Sequence, residues 1–107
     1  MEHPLKITLD VVCGKWKALI LWHLQDKTLR FGELSKAMPD VSRKMLTQQL
    51  RELEDDGLIH REAYREVPPR VEYSLTTYGR DLKPTLEMMY TWGVNHLDVL
   101  SEAESTS

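Results

Sequence analysis

The chain is poor in cysteine, in metal-binding clusters and in uninterrupted apolar sequence. A single cysteine, Cys13, rules out any disulfide within the chain and fits a reducing compartment. The longest apolar stretch, residues 18–22, is five residues, far short of the roughly 20 needed to cross a bilayer, so no membrane association is expected. The opening MEHPLK has neither the basic start nor the apolar run of a secretory signal, and a cytoplasmic location is expected. His3, His23, His60 and His96 stand apart from one another and from carboxylates at ligand spacing, so no metal site is read. A phosphate loop, a nucleophile elbow and a recognisable pair of catalytic acids are also missing. No cofactor is implied, and an enzyme is not supported.

What is present is one small domain. At 107 residues, with 41% hydrophobic and 29% charged residues, the chain has an ordinary globular composition and just enough length for a core. We assign residues 1–100 to that domain and the tail SEAESTS, 101–107, to a flexible acidic end. The net charge of −3 conceals an uneven distribution. Residues 15–51 carry eight Lys/Arg against three acids, whereas residues 81–107 carry one lysine against five acids. A local positive field can attract a phosphate backbone while an acidic remote end keeps the molecule soluble. An uneven but purely solvated surface would look the same, so charge alone does not decide.

Hydrophobic spacing supplies the elements. Residues 5–12 read as a short helix, followed by a turn at Cys13–Gly14. Trp16, Leu19, Ile20, His23 and Leu24 repeat at helical spacing across 15–25. Thr28–Arg30 reads as a short extended piece. Phe31, Leu34 and Met38 mark a helix that Pro39 stops. Ser42 then suits an N-cap and Gly57 a left-handed C-terminal position, and between them Leu46, Leu50 and Leu53 face a core. Two short helices joined by a tight turn form a helix-turn-helix. After Gly57 the period becomes two, through Ile59–Arg65 and again through Val71–Leu75. The VPPR segment at 67–70 makes a stiff, arginine-bearing hairpin tip, a wing. From Thr76 a helical pattern runs to Ser101, with Pro84 implying a kink or break near 80–84. The predicted fold is mainly α with a small β-hairpin, a winged helix-turn-helix with flanking dimerisation helices.

The last helical stretch carries Leu82, Leu86, Met89, Gly93, His96 and Leu100 on a heptad-like seam, with Met88 and Trp92 adding apolar surface. With Leu5 and Leu9 of the first helix these residues are candidates for a homodimer interface. The competing reading folds the helix back onto its own core.

On the helix after Ser42, the polar side carries Arg43, Lys44, Thr47, Gln48 and Arg51, long donors that can read base edges or grip phosphates of double-stranded DNA. A solvated amphipathic helix would also show such a side. The order of charges separates the two: bases fill the first half, and Glu52, Glu54, Asp55 and Asp56 crowd the last turns. That order opposes the helix dipole at both ends, and a phosphate approaching the N-terminal half explains it. In the wing, Arg65 and Arg70 flank Pro68–Pro69 and suit backbone or minor-groove contact, or simply a soluble tip neutralised by Glu66 and Glu72. Lys15 and Lys17 could touch the phosphate backbone or snorkel. Cys13, near Lys15, Lys17 and a helix start, is a candidate redox thiol or inert packing. Trp16, Trp22, Tyr90 and Trp92 could line a ligand pocket or fill the core.

The segments GKWKALIL (14–21), RFGEL (30–34), VSRKMLTQQLRELEDDGLIHR (41–61) and EVPPRVEYSLT (66–76), with Gly79 and Leu82, resemble the HxlR-type bacterial transcriptional regulators, relatives of the MarR-like winged-helix proteins. The resemblance covers roughly residues 3–97. It implies a homodimeric winged helix, often a repressor, that binds a pseudo-palindromic operator through helix 42–56 and wing 65–71, Pro69 included. It also implies release by electrophiles, oxidants or small molecules. In redox-sensing members a cysteine precedes the first helix and is followed by proline; here His3 precedes Pro4, and Cys13 stands where the family commonly has glycine. A winged helix that binds protein instead of DNA keeps the same fold and remains the alternative.

Overall fold

Most helix ends in this chain have a side chain, a glycine or a proline that accounts for them. The computed structural model describes residues 2–12 and 14–106. Helix α1 spans Pro4–Val12; His3 caps it, its Nδ1 accepting from the Leu5 N–H at 3.1 Å. Helix α2 spans Lys17–His23. The two-residue strand β1, Leu29–Arg30, leads into α3, Phe31–Ala37, where the Glu33 carboxylate accepts from the Arg30 N–H at 2.9 Å. Helix α4 spans Arg43–Asp55. Ser42 Oγ accepts from the Met45 N–H at 3.1 Å, satisfying one of the first-turn donors. At the other end Gly57 has φ +78°, and the N–H groups of Gly57 and Leu58 donate to the carbonyls of Glu54 and Leu53. This double closure over a left-handed glycine is the Schellman stop.

Strand β2, Ile59–Tyr64, and β3, Arg70–Leu75, form an antiparallel hairpin, and β1 pairs with the far edge of β3 to give the order β1-β3-β2. The register sets Ile59 opposite Leu75 and Tyr64 opposite Arg70. Only Ile59 of β2 is buried, so the strand leaves the core at once and carries the hairpin outward. Thr76 closes the far end: its Oγ1 donates to the Gly57 carbonyl at 2.6 Å and accepts from the Gly79 N–H at 2.9 Å, capping the short helix α5, Thr77–Arg80. Helix α6 then spans Lys83–Thr106. The predicted break near 80–84 falls at 81–82, just before Pro84.

The core joins Ile20, Leu21 and Leu24 of α2 to Leu34 of α3, to Leu46, Leu50 and Leu53 of α4, and to Tyr73 and Leu75 of β3. Three sequence expectations change. Leu86 is 4% exposed within this core; it fastens α6 to its own domain and is not an interface residue. Leu19 is exposed and Leu21 is fully buried, because α2 turns its 20–21–24 side inward. Helix α6 runs through Thr106, across residues assigned above to a flexible tail. At 1.5 Å per residue it is about 36 Å long, and beyond Leu86 it projects. The radius of gyration, 16.2 Å, accordingly exceeds the roughly 13 Å of a compact chain this size. Among the described residues no helix is long and apolar enough to cross a membrane.

Candidate nucleic-acid interface

Helix α4 shows two sides. Leu46, Leu50 and Leu53 are sealed in the core, whereas Arg43, Lys44, Thr47, Gln48 and Arg51 together border one open hollow of ≈ 560 Å³. Five side chains chosen from sequence spacing thus meet at a single surface. The Thr47 hydroxyl donates to the Arg43 carbonyl at 2.8 Å, which commits its proton and leaves its lone pairs and methyl to the outside. The Arg43 guanidinium lies 5.0 Å from the Phe31 ring centroid, a cation–π contact that steadies it over α3. Phe31 reads in the sequence only as a core residue; its second role depends on the angle between α3 and α4. Ser42 is exposed at the helix start, its Oγ engaged as the cap.

Lys17 behaves differently from its expectation as a phosphate contact. Its side chain is 12% exposed and its Nζ lies 3.0 Å from Glu52 Oε2, so it points into α4 and not outward. Gln49, half-buried, donates to the same carboxylate oxygen at 3.2 Å. The hydrogen bond from Lys17, followed by its charge, holds the Glu52 carboxyl below its ordinary value of 4.5. The result is a strut between α2 and α4. Lys15 stays exposed, 5.0 Å over the Trp16 ring.

In the wing, Val67, Pro68 and Pro69 are exposed, with the Val67–Pro68 peptide cis. Arg65 is exposed beside them. Arg70 is not presented in the same way. Its guanidinium lies 4.1 Å from the Tyr64 ring centroid, 3.2 Å from Glu66 and 3.9 Å from Glu72. The pairing also relieves β2–β3, where Glu62 and Glu72 face each other across the ladder, an arrangement that is otherwise unfavourable. Arg61, on the same face of β2 as buried Ile59 and opposite Tyr73, borders a second hollow with Arg51, Thr47, Glu54 and Tyr73. The alternation of β2 groups Arg61 with Ile59, the strand's buried residue, and only the fold shows that the hairpin has left the core by that point and set Arg61 beside Arg51.

Of the residues assigned to a dimer seam, Leu5, Leu9, Met89, Trp92, His96 and Leu100 are exposed; Gly93 is half-buried and Leu86, as above, is in the core. Trp92 and His96 stack at 4.9 Å. Of the four aromatics considered for pocket or core, Trp16 and Trp22 pack on the core while Tyr90 and Trp92 stand exposed. Cys13 lies outside the described residues. The position that redox-sensing relatives give to cysteine holds His3, whose imidazole is occupied in capping α1. Among the described residues no group of three His, Cys, Asp or Glu could hold a metal ion.

This arrangement of helices, sheet and hairpin recurs in proteins of similar sequence. Residues 11–101 match the family model for HxlR-like helix-turn-helix proteins. The uncharacterized HTH-type transcriptional regulator YdeP of Bacillus subtilis (strain 168) is 50% identical over 102 residues, covering 95% of this chain and 80% of the relative. Among solved structures, the reduced form of the redox regulator HypR superposes with a TM-score of 0.88 at 49% identity, over 94% of this chain and 99% of that one. The reduced form of the transcriptional regulator YodB from B. subtilis gives 0.75 at 32% identity, over 86% and 91%. The chain belongs to the HxlR-like helix-turn-helix family and is a DNA-binding transcriptional regulator of winged-helix fold.

Proposed function

We propose that the protein is a homodimeric repressor that binds a pseudo-palindromic operator. Helix α4 enters the major groove, the wing tip at Arg65 and Pro69 reaches the flanking backbone or minor groove, and Lys15 meets phosphate. Arg70 braces the wing against Tyr64 more than it reaches out. The observation that carries this reading is the shared hollow of Arg43, Lys44, Thr47, Gln48 and Arg51 on the exposed side of a capped helix. Donors, a cationic guanidinium pair and a helix N-terminal half face the same way there, which suits a phosphate-lined groove.

The dimer is supported by two features. Helix α1 and the projecting part of α6 expose more large apolar side chains than a monomer this size ordinarily leaves in water. Gly93 has nothing within 4 Å of where a Cβ would sit, so the monomer has no packing use for a residue that weakens a helix interior. Close approach of a second helix supplies one. Two-fold symmetry then places half-sites roughly 10 or 20 bp apart. The location proposed is the cytoplasm, and the releasing signal proposed is a small molecule or electrophile, not a thiol at the position of His3.

A gel shift on the DNA upstream of the protein's own gene, repeated across salt, tests the reading. The expected result is a specific shift whose affinity falls on the order of 10³-fold between low and moderate salt. No specific shift, together with a stable complex with another protein, would replace it with a protein-binding winged helix.

A further inference from the structure

The hollow between α4 and β2 has a volume of ≈ 340 Å³ and adjoins the one that carries the proposed DNA contact. Thr47 and Arg51 border both and form the ridge between them. Tyr73, 9% exposed, lies at the floor, and Arg61 enters from β2 at the position opposite it. Two guanidiniums carried by different elements therefore share one small space. Neither has an ion pair or hydrogen bond to another described residue, whereas Lys17 holds Glu52 and Arg70 holds Glu66 and Glu72. Glu54, the one acid bordering the hollow, makes no ion pair with either among the described residues. Like charges gathered in this way repel, and nothing inside the domain offsets the repulsion. An anion between them does: each guanidinium is a planar fork of donors that matches two oxygens of a phosphate.

We propose that Arg61 and Arg51 clamp one backbone phosphate at the wing-side edge of the groove that α4 enters, and that Arg51 serves this phosphate and not a base. Arg61 is thereby a DNA contact on β2, outside both the helix and the wing tip. The inference rests on the DNA-binding reading of α4 and adds a residue and a division of labour to it. Gln48 and Arg43 border only the first hollow, so base reading and phosphate gripping fall on opposite sides of the Thr47–Arg51 ridge. Two groups that only donate need a guest that accepts from both, and a phosphodiester does so through its two non-bridging oxygens. Along this side of α4 the order is Thr47, Arg51, Glu54. The carboxylate and the negative end of the helix dipole lie together at the far end and confine the phosphate toward Thr47.

The test uses the full chain, the shortest duplex from upstream of its own gene that gives a specific shift, and a scrambled duplex of the same composition. Arg61→Ala is expected to weaken both duplexes by about tenfold and to lower the slope of log affinity against log salt by about 1. Its urea midpoint is expected to match the wild type. Each phosphate of the upstream duplex is then replaced in turn by an uncharged methylphosphonate. At one position per half-site the replacement is expected to cost the wild type about tenfold and Arg61→Ala nothing further, because that contact is already gone. Arg61→Gln, which keeps part of the stem, gives the same pattern should Arg61→Ala fold poorly. Unchanged affinity, a loss confined to the upstream duplex, or methylphosphonate costs equal in both proteins at every position would overturn the proposal. So would matched losses of stability in Arg61→Ala and Glu54→Gln that do not grow in the double variant, since Glu54 would then be the partner of Arg61. In each of these cases a wild type that still binds its upstream duplex leaves the DNA-binding reading standing; a wild type that shifts no DNA overturns both.

Discussion

Gln48 and Lys44 occupy the same hollow of α4 but differ in what they can distinguish. An amide can bond two edge atoms of one base, whereas an ammonium satisfies any phosphate. Gln48→Ala is expected to cost about 1–3 kcal/mol against the cognate site and little on random DNA. Lys44→Ala is expected to weaken all sequences alike and to reduce the slope of log affinity against log salt by about 1. Anisotropy titrations on specific and scrambled duplexes separate the two, and equal losses for Gln48→Ala would remove it as a base reader. Glu52 offers a second test. Its folded carboxyl titrates below 4.5 because Lys17 stabilises the charged form. The pair therefore contributes stability above pH 4.5 and loses it as pH falls through the lowered folded value. Glu52→Gln should be less stable than wild type at neutral pH, with the gap closing as the pH drops below 4.5. A pH-independent gap in denaturant midpoints would mean the strut acts through packing. The positions of Gln48 and Lys44 could be read from helical spacing. The inward turn of Lys17 could not, because its partner is 35 positions away in the chain.

At the level of elements, the junction of α4, the hairpin and α5 is held by close contacts to backbone carbonyls. Thr76 bonds the Gly57 and Leu58 carbonyls, and a Cβ on Gly79 would collide with the Leu58 carbonyl. Neither neighbour can retreat without opening the Schellman stop. Gly79→Ala is expected to destabilise the domain by about 2–3 kcal/mol, measurable as a lower urea midpoint, although alanine is the better helix former. A rise in stability would show that α5 can shift freely. Capping residues and the change of period at Gly57 made α4, β2 and β3 legible in advance, and the break before Pro84 was anticipated for the same local reasons. The inward face of α2 was less legible. Its apolar residues occupy several sides of the helix, so only the positions of α3, α4 and α6 decide that Leu21 is buried and Leu19 is exposed.

For the whole molecule the issue is what covers α1 and α6. Gly93→Ala should stabilise an isolated α6 by roughly 0.5–1 kcal/mol yet weaken a dimer in which helices meet at that point. Trp92→Glu should dissociate it outright while sparing a core that Trp92 does not join. Light scattering and sedimentation at micromolar concentration check both. A stable monomer in the wild type, with no mass change in either variant, would defeat the seam. The heptad-like spacing marked a seam on this helix, but large apolar side chains off that seam, Met88, Tyr90, Val94, Leu97 and Val99, are exposed as well, and spacing could not separate the portion spent internally. Leu86 fits the seam by spacing and belongs to the core by position.

What the sequence by itself determined is local. Caps, breakers, periodicity and the backwards charge order of α4 depend on residues within a few positions of one another, and they specified a winged helix-turn-helix and the polar, basic face of α4. The tertiary structure decided which of those side chains remain available. Burial and pairing are set by elements far apart in the chain. Lys17 was withdrawn into a strut, Arg70 into the wing and Leu86 into the core, while Arg61 was brought beside Arg51 and Trp22 beside Tyr90.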